Sequence, residues 1–208
     1  MKKVILILVL LIISVQGYTQ VISINGYEKI YRNLVAYNPY WVAYELVYPV
    51  NHGSMEGYID ANPFQRFHSR IKARHLGVDI TSPVPGDEDL GDTIYSIGRG
   101  IVVTQWSNCI MIMHKTRNGF IVSQYRHCME IFVVEGQYID IAQPIARIGN
   151  EWGLYQAHLH FEIRTDINLD VEGGYGNPTG YVDPLRYIES YNRYWNIPIR
   201  VSLTVKKD

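Results

Sequence analysis

The chain has 208 residues, with 19 lysines and arginines against 20 acids and a formal charge of −1. That near balance lacks the broad cationic surface that nucleic-acid binding needs, so no nucleic-acid partner is expected. The length fits one domain with a lead-in, long enough to bury a sizeable core, and the expected oligomeric state is a monomer.

The first residues are Met1-Lys2-Lys3, an almost unbroken apolar run from Val4 to Val15, and small residues between Ser14 and Gly17. This is the pattern of a cleaved secretory signal, expected over residues 1–20. The run is shorter than the roughly 20 residues a membrane-spanning helix requires, and no later stretch resembles one. The expected product is secreted, periplasmic or extracellular, with no integral membrane segment after cleavage. No cysteine follows the run to carry a lipid. Loss of Lys2 and Lys3 leaves 17 basic groups against 20 acids, a charge of about −3, so no broad attraction to an anionic partner is expected and any binding should rest on a groove.

Residues 21–70 form an aromatic lead-in holding Tyr27, Tyr31, Tyr37, Tyr40, Trp41, Tyr44, Tyr48 and Tyr58, with no clean helical or strand period. Its aromatic faces either stack on sugars or pack on the following domain. Packing is favoured, because such side chains have much area to bury.

Arg74-His75-Leu76-Gly77-Val78-Asp79-Ile80 then sets an imidazole and a carboxylate four residues apart, a pair suited to zinc. On a straight strand the two groups would lie roughly 13 Å apart, too far to share one ion. Gly77 is therefore expected to bend the chain through backbone angles closed to other residues. Taken singly, the plainer alternative is that Asp79 caps a loop and His75 is exposed.

Cys109 and Cys128 flank a hairpin with its turn between Lys115 and Gly119, signalled by Asn118-Gly119. Pairing across that turn sets Cys109 opposite Arg126, two places from Cys128, which leaves a disulfide open. Neither cysteine reads as catalytic. The second strand ends in Gln124-Tyr125-Arg126-His127, and alternation puts Tyr125 and His127 on one face with Arg126 on the other.

Ala157-His158-Leu159-His160-Phe161-Glu162-Ile163-Arg164 reads as a strand with His158 and His160 on one face and Leu159, Phe161 and Ile163 turned to a core. Two imidazoles so placed can serve one metal centre, one as ligand and one as proton handler. A lone HxH is more often a packing feature. Glu162 reads as a solvated strand residue, with orientation of an imidazole as the alternative.

Taken together, the HxxxD at His75 and Asp79, the Tyr-x-His at His127 and the HLHFEIR from His158 resemble the lysostaphin-type, or LytM-like, zinc metallopeptidases, which cleave peptide bonds in bacterial peptidoglycan. The resemblance runs from about Arg74 to about Tyr187 and includes Gly98 to Val103, Val134 to Ile139, Pro144 to Gly149 and Asp183-Pro184-Leu185. It implies a mainly β fold in which an antiparallel sheet floors an open groove, resembling the duplicated hybrid motif fold, with little helix beyond a short one near Pro184 to Glu189. Residues 71–190 would be the zinc metallopeptidase domain and 191–208 a C-terminal extension.

By position, the resemblance implies that His75, Asp79 and His160 hold Zn2+ and that His127 and His158 are catalytic. Three protein ligands leave a tetrahedral zinc one position for water. With no HExxH, proton handling falls to the two further histidines. Asn62 is a candidate masking residue, by analogy with relatives in which a preceding segment covers the zinc. The implied function is a secreted zinc endopeptidase acting on peptidoglycan peptides. The alternatives are a non-catalytic wall-associated regulator, whose members typically lack ligands, or a zinc-binding or wall-adhesion module without turnover. Two departures leave the scissile bond open. Trp152 and Tyr155 add bulk to a loop where relatives carry small residues, and Thr165 to Gly180 is longer than a minimal ending.

Overall fold

The computed structural model describes residues 39–166 and 173–193. The expected signal peptide, the tyrosines before residue 39 and the extension beyond residue 193 lie outside the described residues.

The strands are β1 (Ile59–Asn62), β2 (Phe67–His68), β3 (Ala73–His75), β4 (Val78–Thr81), β5 (Thr93–Tyr95), β6 (Gly100–Trp106), β7 (Cys109–Thr116), β8 (Gly119–Arg126), β9 (Cys128–Ile131), β10 (Tyr138–Ile139), β11 (Pro144–Ile148), β12 (Leu159–Arg164), β13 (Tyr175–Gly176) and β14 (Tyr181–Val182). One helix follows, α1 (Pro184–Arg193). The fold is mainly β and its named strands pair antiparallel, as the resemblance implied. Eight strands form the principal sheet, in the order β1-β4-β12-β8-β7-β6-β10 with β14 also on β12, and two three-stranded sheets, β5-β11-β9 and β13-β3-β2, flank it.

The register explains the sheet's two faces. Tyr125 pairs with Phe161, and Phe161 with Val78, so these and the alternate residues Ile80, Leu159 and Ile163 enter the main core. Arg126 pairs with His160, and His160 with Asp79, so the opposite face carries polar groups at this end of the sheet. Farther along the same face Ile101, Val103, Met111, Met113, Phe120 and Val122 form a small apolar cluster under Trp41 and Tyr138.

The hairpin pairs Cys109 with Arg126 and closes between Thr116 and Gly119, as the sequence spacing predicts. Both cysteines are free and buried. Cys109 lies on the polar face with Gln124, whereas Cys128 packs in the core on the other side and points its thiol at the Tyr125 carbonyl.

The lead-in packs into the core. Ala43, Leu46 and Val50 are buried there, and each large aliphatic group so removed from water contributes about 1.5–3 kcal/mol. Helix α1 closes over it with Ile188 and Tyr191; the Tyr191 hydroxyl donates to the Ala43 carbonyl at 2.6 Å, and Asn192 brackets the Leu46 backbone. The helix begins with Pro184, its N-terminal amide at Arg186 is capped by Asp183, and it runs four residues past the expected Glu189.

Gly77 acts differently from expectation. Its φ is not in the left-handed region, and the chain simply breaks between β3 and β4. What demands glycine is proximity, since a Cβ there would meet the Phe161 carbonyl oxygen at 2.2 Å. Without a side chain, Leu76-Gly77 can cross against β12, which lets His75 and Asp79 approach from two different strands.

Candidate metal centre

Three ligand atoms converge on the polar face. His75 Nε2 lies 2.9 Å from His160 Nδ1 and 3.1 Å from Asp79 Oδ1, and His160 Nδ1 lies 2.8 Å from Asp79 Oδ1. His75 comes from the end of β3, Asp79 from β4 and His160 from β12, so the cluster is a product of strand pairing.

The outward nitrogens show what those inner atoms carry. His160 Nε2 sits 2.7 Å from Glu162 Oε1, which also accepts from the Gly174 amide; a carboxylate only accepts, so the ring proton is on Nε2 and Nδ1 presents a lone pair inward. His75 Nδ1 faces the Pro63 carbonyl at 3.4 Å, which places its proton outward too. Two nitrogen lone pairs and a carboxylate oxygen thus point at one another, an arrangement that needs a proton or a cation at its centre. Imidazole, imidazole and carboxylate are the donor set of a zinc site with a free position, so the residues present fit that ion.

The titration of the metal-free cluster reflects the same conflict. Burial opposes a charged His160, yet Asp79 and Glu162 outweigh it and raise its pKa to about 9. Burial likewise opposes ionised Asp79, but His160 and His75 hold its carboxyl well below the usual range. The second Asp79 oxygen accepts from the Asn62 amide at 2.8 Å, and that amide also reaches the Tyr175 hydroxyl at 3.1 Å.

His158 and His127 stand beside this cluster. His158 Nε2 is 4.0 Å from Asp79 Oδ1, and its Nδ1 faces the Gln156 carbonyl at 2.8 Å. The His127 ring centre lies 4.6 Å from that of His158 and 6.0 Å from that of His160. Burial, followed by repulsion from His158, His160 and Arg126 should His127 take up a proton, lowers the His127 pKa to about 3.

His127 reaches the site by breaking the alternation expected of it. β8 ends at Arg126, which shares the His160 face, while Tyr125 lies in the core. His127 follows with φ 66°, a left-handed turn that carries its ring out of the Tyr125 face and toward His158. Its carbonyl accepts from the Gly149 amide at 2.7 Å, an approach closed to any residue bearing a Cβ.

His75, Asp79 and His160 are thus together in space, with His127 and His158 beside them. Residues 73–178 match the model of Peptidase family M23. The chain belongs to peptidase family M23. The M23 chain is 32% identical over 114 residues to a lipoprotein NlpD/LppB homolog of Pseudomonas aeruginosa, covering 54% of this chain and 32% of that protein. It is 29% identical over 106 residues to the peptidoglycan DD-endopeptidase ShyA of Vibrio cholerae, covering 48% of this chain and 23% of that protein. It therefore spans about a third and about a quarter of the length of these curated relatives. Among solved structures it is similar to a zinc containing peptidase from Vibrio cholerae, with 24% identity, a TM-score of 0.46, and coverage of 67% of this chain and 39% of that one.

Two clefts flank the centre of this M23 chain. One, of about 290 Å³, lies beside His127 and is lined by Ser107, Asn108, Met129, Trp152 and Tyr155 among others; Trp152 is fully exposed at its rim. The other, of about 380 Å³, lies beyond Tyr175 and is lined by Asn62, Arg66, Phe67, His68 and Ser69.

Three features of the site depart from, or go beyond, the sequence reading. Glu162 is fully buried and engaged with His160, so the solvated reading is wrong: β12 is covered on both faces here, by the core on one side and by Gly173 and Gly174 on the other. Tyr175, which no sequence motif marks, has its ring 5.1 Å from that of His75; it arrives through β13, which pairs with β3. Tyr155, read only as bulk, places its hydroxyl on His127 Nδ1.

Proposed function

We propose that this M23 chain is a secreted zinc metallo-endopeptidase that hydrolyses peptide bonds in bacterial peptidoglycan. His75, Asp79 and His160 would hold the zinc, and His127 and His158 would act on substrate. The observation that carries the reading is the convergence of two imidazole lone pairs and one carboxylate oxygen, with two further histidines beside them. The peptidoglycan substrate is supported by the name of the Vibrio cholerae relative, a peptidoglycan DD-endopeptidase. Residues 1–20 as a cleaved signal, 21–70 as lead-in, 71–190 as the peptidase domain and 191–208 as an extension belong to the same reading, with the product monomeric and in the cell envelope or outside it. Among the described residues no helix is long and apolar enough to cross a membrane.

When bound, zinc would supply a Lewis acid that acidifies water and polarises a carbonyl. The chain's own groups handle the protons. His158 Nδ1 faces a carbonyl, which can only accept, so in the neutral ring the proton sits on Nδ1 and Nε2 offers a lone pair on the side of Asp79. That nitrogen is placed to take a proton from the attacking water and return it to the leaving amine nitrogen. Asn62 and Glu162 orient Asp79 and His160 from outside the cluster.

The test is to incubate the mature protein, loaded with zinc, with purified peptidoglycan and to identify released fragments by mass. Fragments with new peptide amino termini are the expected result. A second reading, a wall-associated regulator without turnover, is favoured by the name of the Pseudomonas aeruginosa relative, which describes a lipoprotein and no peptidase. Stoichiometric zinc with no released fragment would select that reading.

A further inference from the structure

The loop before β12 carries a tyrosine set against both catalytic candidates. The Tyr155 hydroxyl oxygen lies 2.5 Å from His127 Nδ1, and the Tyr155 ring centre is 4.5 Å from that of His127 and 5.1 Å from that of His158. The loop is anchored so that the phenol stays there. The Tyr155 amide donates to the Asn150 carbonyl, the Asn150 side chain to Asp87 Oδ2, and the Ala157 amide to Asp87 Oδ1 at 2.7 Å. The family resemblance implies small residues in this stretch, so the contact belongs to this chain's own loop.

We propose that Tyr155 is a positioning residue that donates its hydroxyl proton to His127 Nδ1 and thereby sets His127 as a neutral donor through Nε2–H. The inference rests on the peptidase reading above. A phenol, with pKa near 10, is a stronger acid than the N–H of a neutral imidazole, and the imidazole nitrogen is the better acceptor, so the short contact is O–H to N. Burial, then a hydrogen bond toward the Glu151 carboxylate and its charge, raise the phenol's pKa and keep the proton on the oxygen; Glu151 competes for that proton, and the 2.5 Å contact with His127 Nδ1 is the one assigned to it. A neutral imidazole has one ring proton; with Nδ1 accepting, that proton is on Nε2.

The consequence is a division of labour. The Gln156 carbonyl sets His158 with Nδ1–H and a basic Nε2, whereas Tyr155 sets His127 in the opposite tautomer. His127 is then equipped to donate a hydrogen bond to the oxygen of a scissile carbonyl as negative charge develops on it. Through the cycle His127 exchanges no proton. His158 takes one proton from water as the C–O bond forms and gives it to the amine nitrogen as the C–N bond breaks.

Nitrogen-15 NMR of the full chain labelled at histidine, with zinc bound, reads the tautomers directly. The expected spectrum has His127 with a protonated Nε2 and a hydrogen-bonded, unprotonated Nδ1. Tyr155→Phe, which keeps the ring, should lose that single tautomer and lower kcat by on the order of 10 to 10² with KM changed less than about twofold. A wild-type His127 protonated at Nδ1, meaning that the phenol accepts from it and donates to Glu151, would overturn the proposal. So would an unchanged kcat in folded Tyr155→Phe. If the wild-type protein releases no peptide at all, the peptidase reading fails, and the tautomer spectrum still decides the role of Tyr155.

Discussion

His160 directs Nε2 to Glu162 Oε1 at 2.7 Å and, in doing so, aims Nδ1 at Asp79 Oδ1, 2.8 Å away. One side chain two residues along the same strand face therefore decides which nitrogen of His160 is available to a cation. Glu162→Gln keeps the shape but weakens the acceptor that orients the ring. Zinc affinity, measured by competition with a chelator, should fall on the order of 10- to 100-fold. Unchanged affinity would mean that Glu162 does not tune the ligand.

Gly77→Ala should be far more damaging than an alanine in an ordinary strand break, because its Cβ would meet the Phe161 carbonyl at 2.2 Å. Overpacking against backbone costs about 1–3 kcal/mol. The shift also separates β4 from β12, so the variant should melt lower and bind zinc more weakly. Calorimetry with and without zinc checks both effects.

The motif residues were legible in the sequence because their chemistry is: an HxxxD, a Tyr-x-His and an HLH name their own positions, and strand alternation correctly turned Leu159, Phe161 and Ile163 to the core. The reasons linking them were less legible. Gly77 looked like a hinge because local reasoning sees only the chain's own angles, whereas its constraint comes from Phe161, far along the sequence. His127 was placed by an alternation that ends one residue earlier, at Arg126. Glu162 looked solvated because nothing in its strand announces that Gly173 and Gly174 will cover it. Tyr175 meets Asn62 across 113 residues, a separation no local pattern spans.

The metal-free protein should lose stability as pH rises through the alkaline range. His160 has a folded pKa of about 9, above its unfolded value of about 6.5, so its stabilising contribution is full below pH 6.5 and is lost as pH climbs through 9. His127 and His114, whose pKa values burial lowers to about 3 and about 4, act only below pH 6.5, where they destabilise as pH falls. Between pH 6.5 and 9.5 the melting temperature of chelator-treated protein should therefore drop, by about 5 °C or more. Zinc displaces the same proton, so the stabilisation it brings should grow over that window. A melting temperature that rises with pH in the metal-free protein would contradict the assigned pairing.

The lead-in should prove structural. Leu46 is fully buried in the main core, and its backbone is bracketed by Asn192. Leu46→Ala should cost about 2–5 kcal/mol, seen in denaturant unfolding, without a matching gain in hydrolysis. Higher activity at unchanged stability would point to a masking segment instead.

Zinc content tests the central claim most directly, when measured by mass spectrometry on the folded wild-type protein and on His160→Ala, His127→Ala and His158→Ala. The account predicts about one zinc per chain in the wild type, most of it lost from His160→Ala, and full retention in the other two, whose turnover nonetheless falls on the order of 10² to 10³. Stoichiometric zinc in folded His160→Ala, or its loss from His127→Ala or His158→Ala, would contradict the assignment.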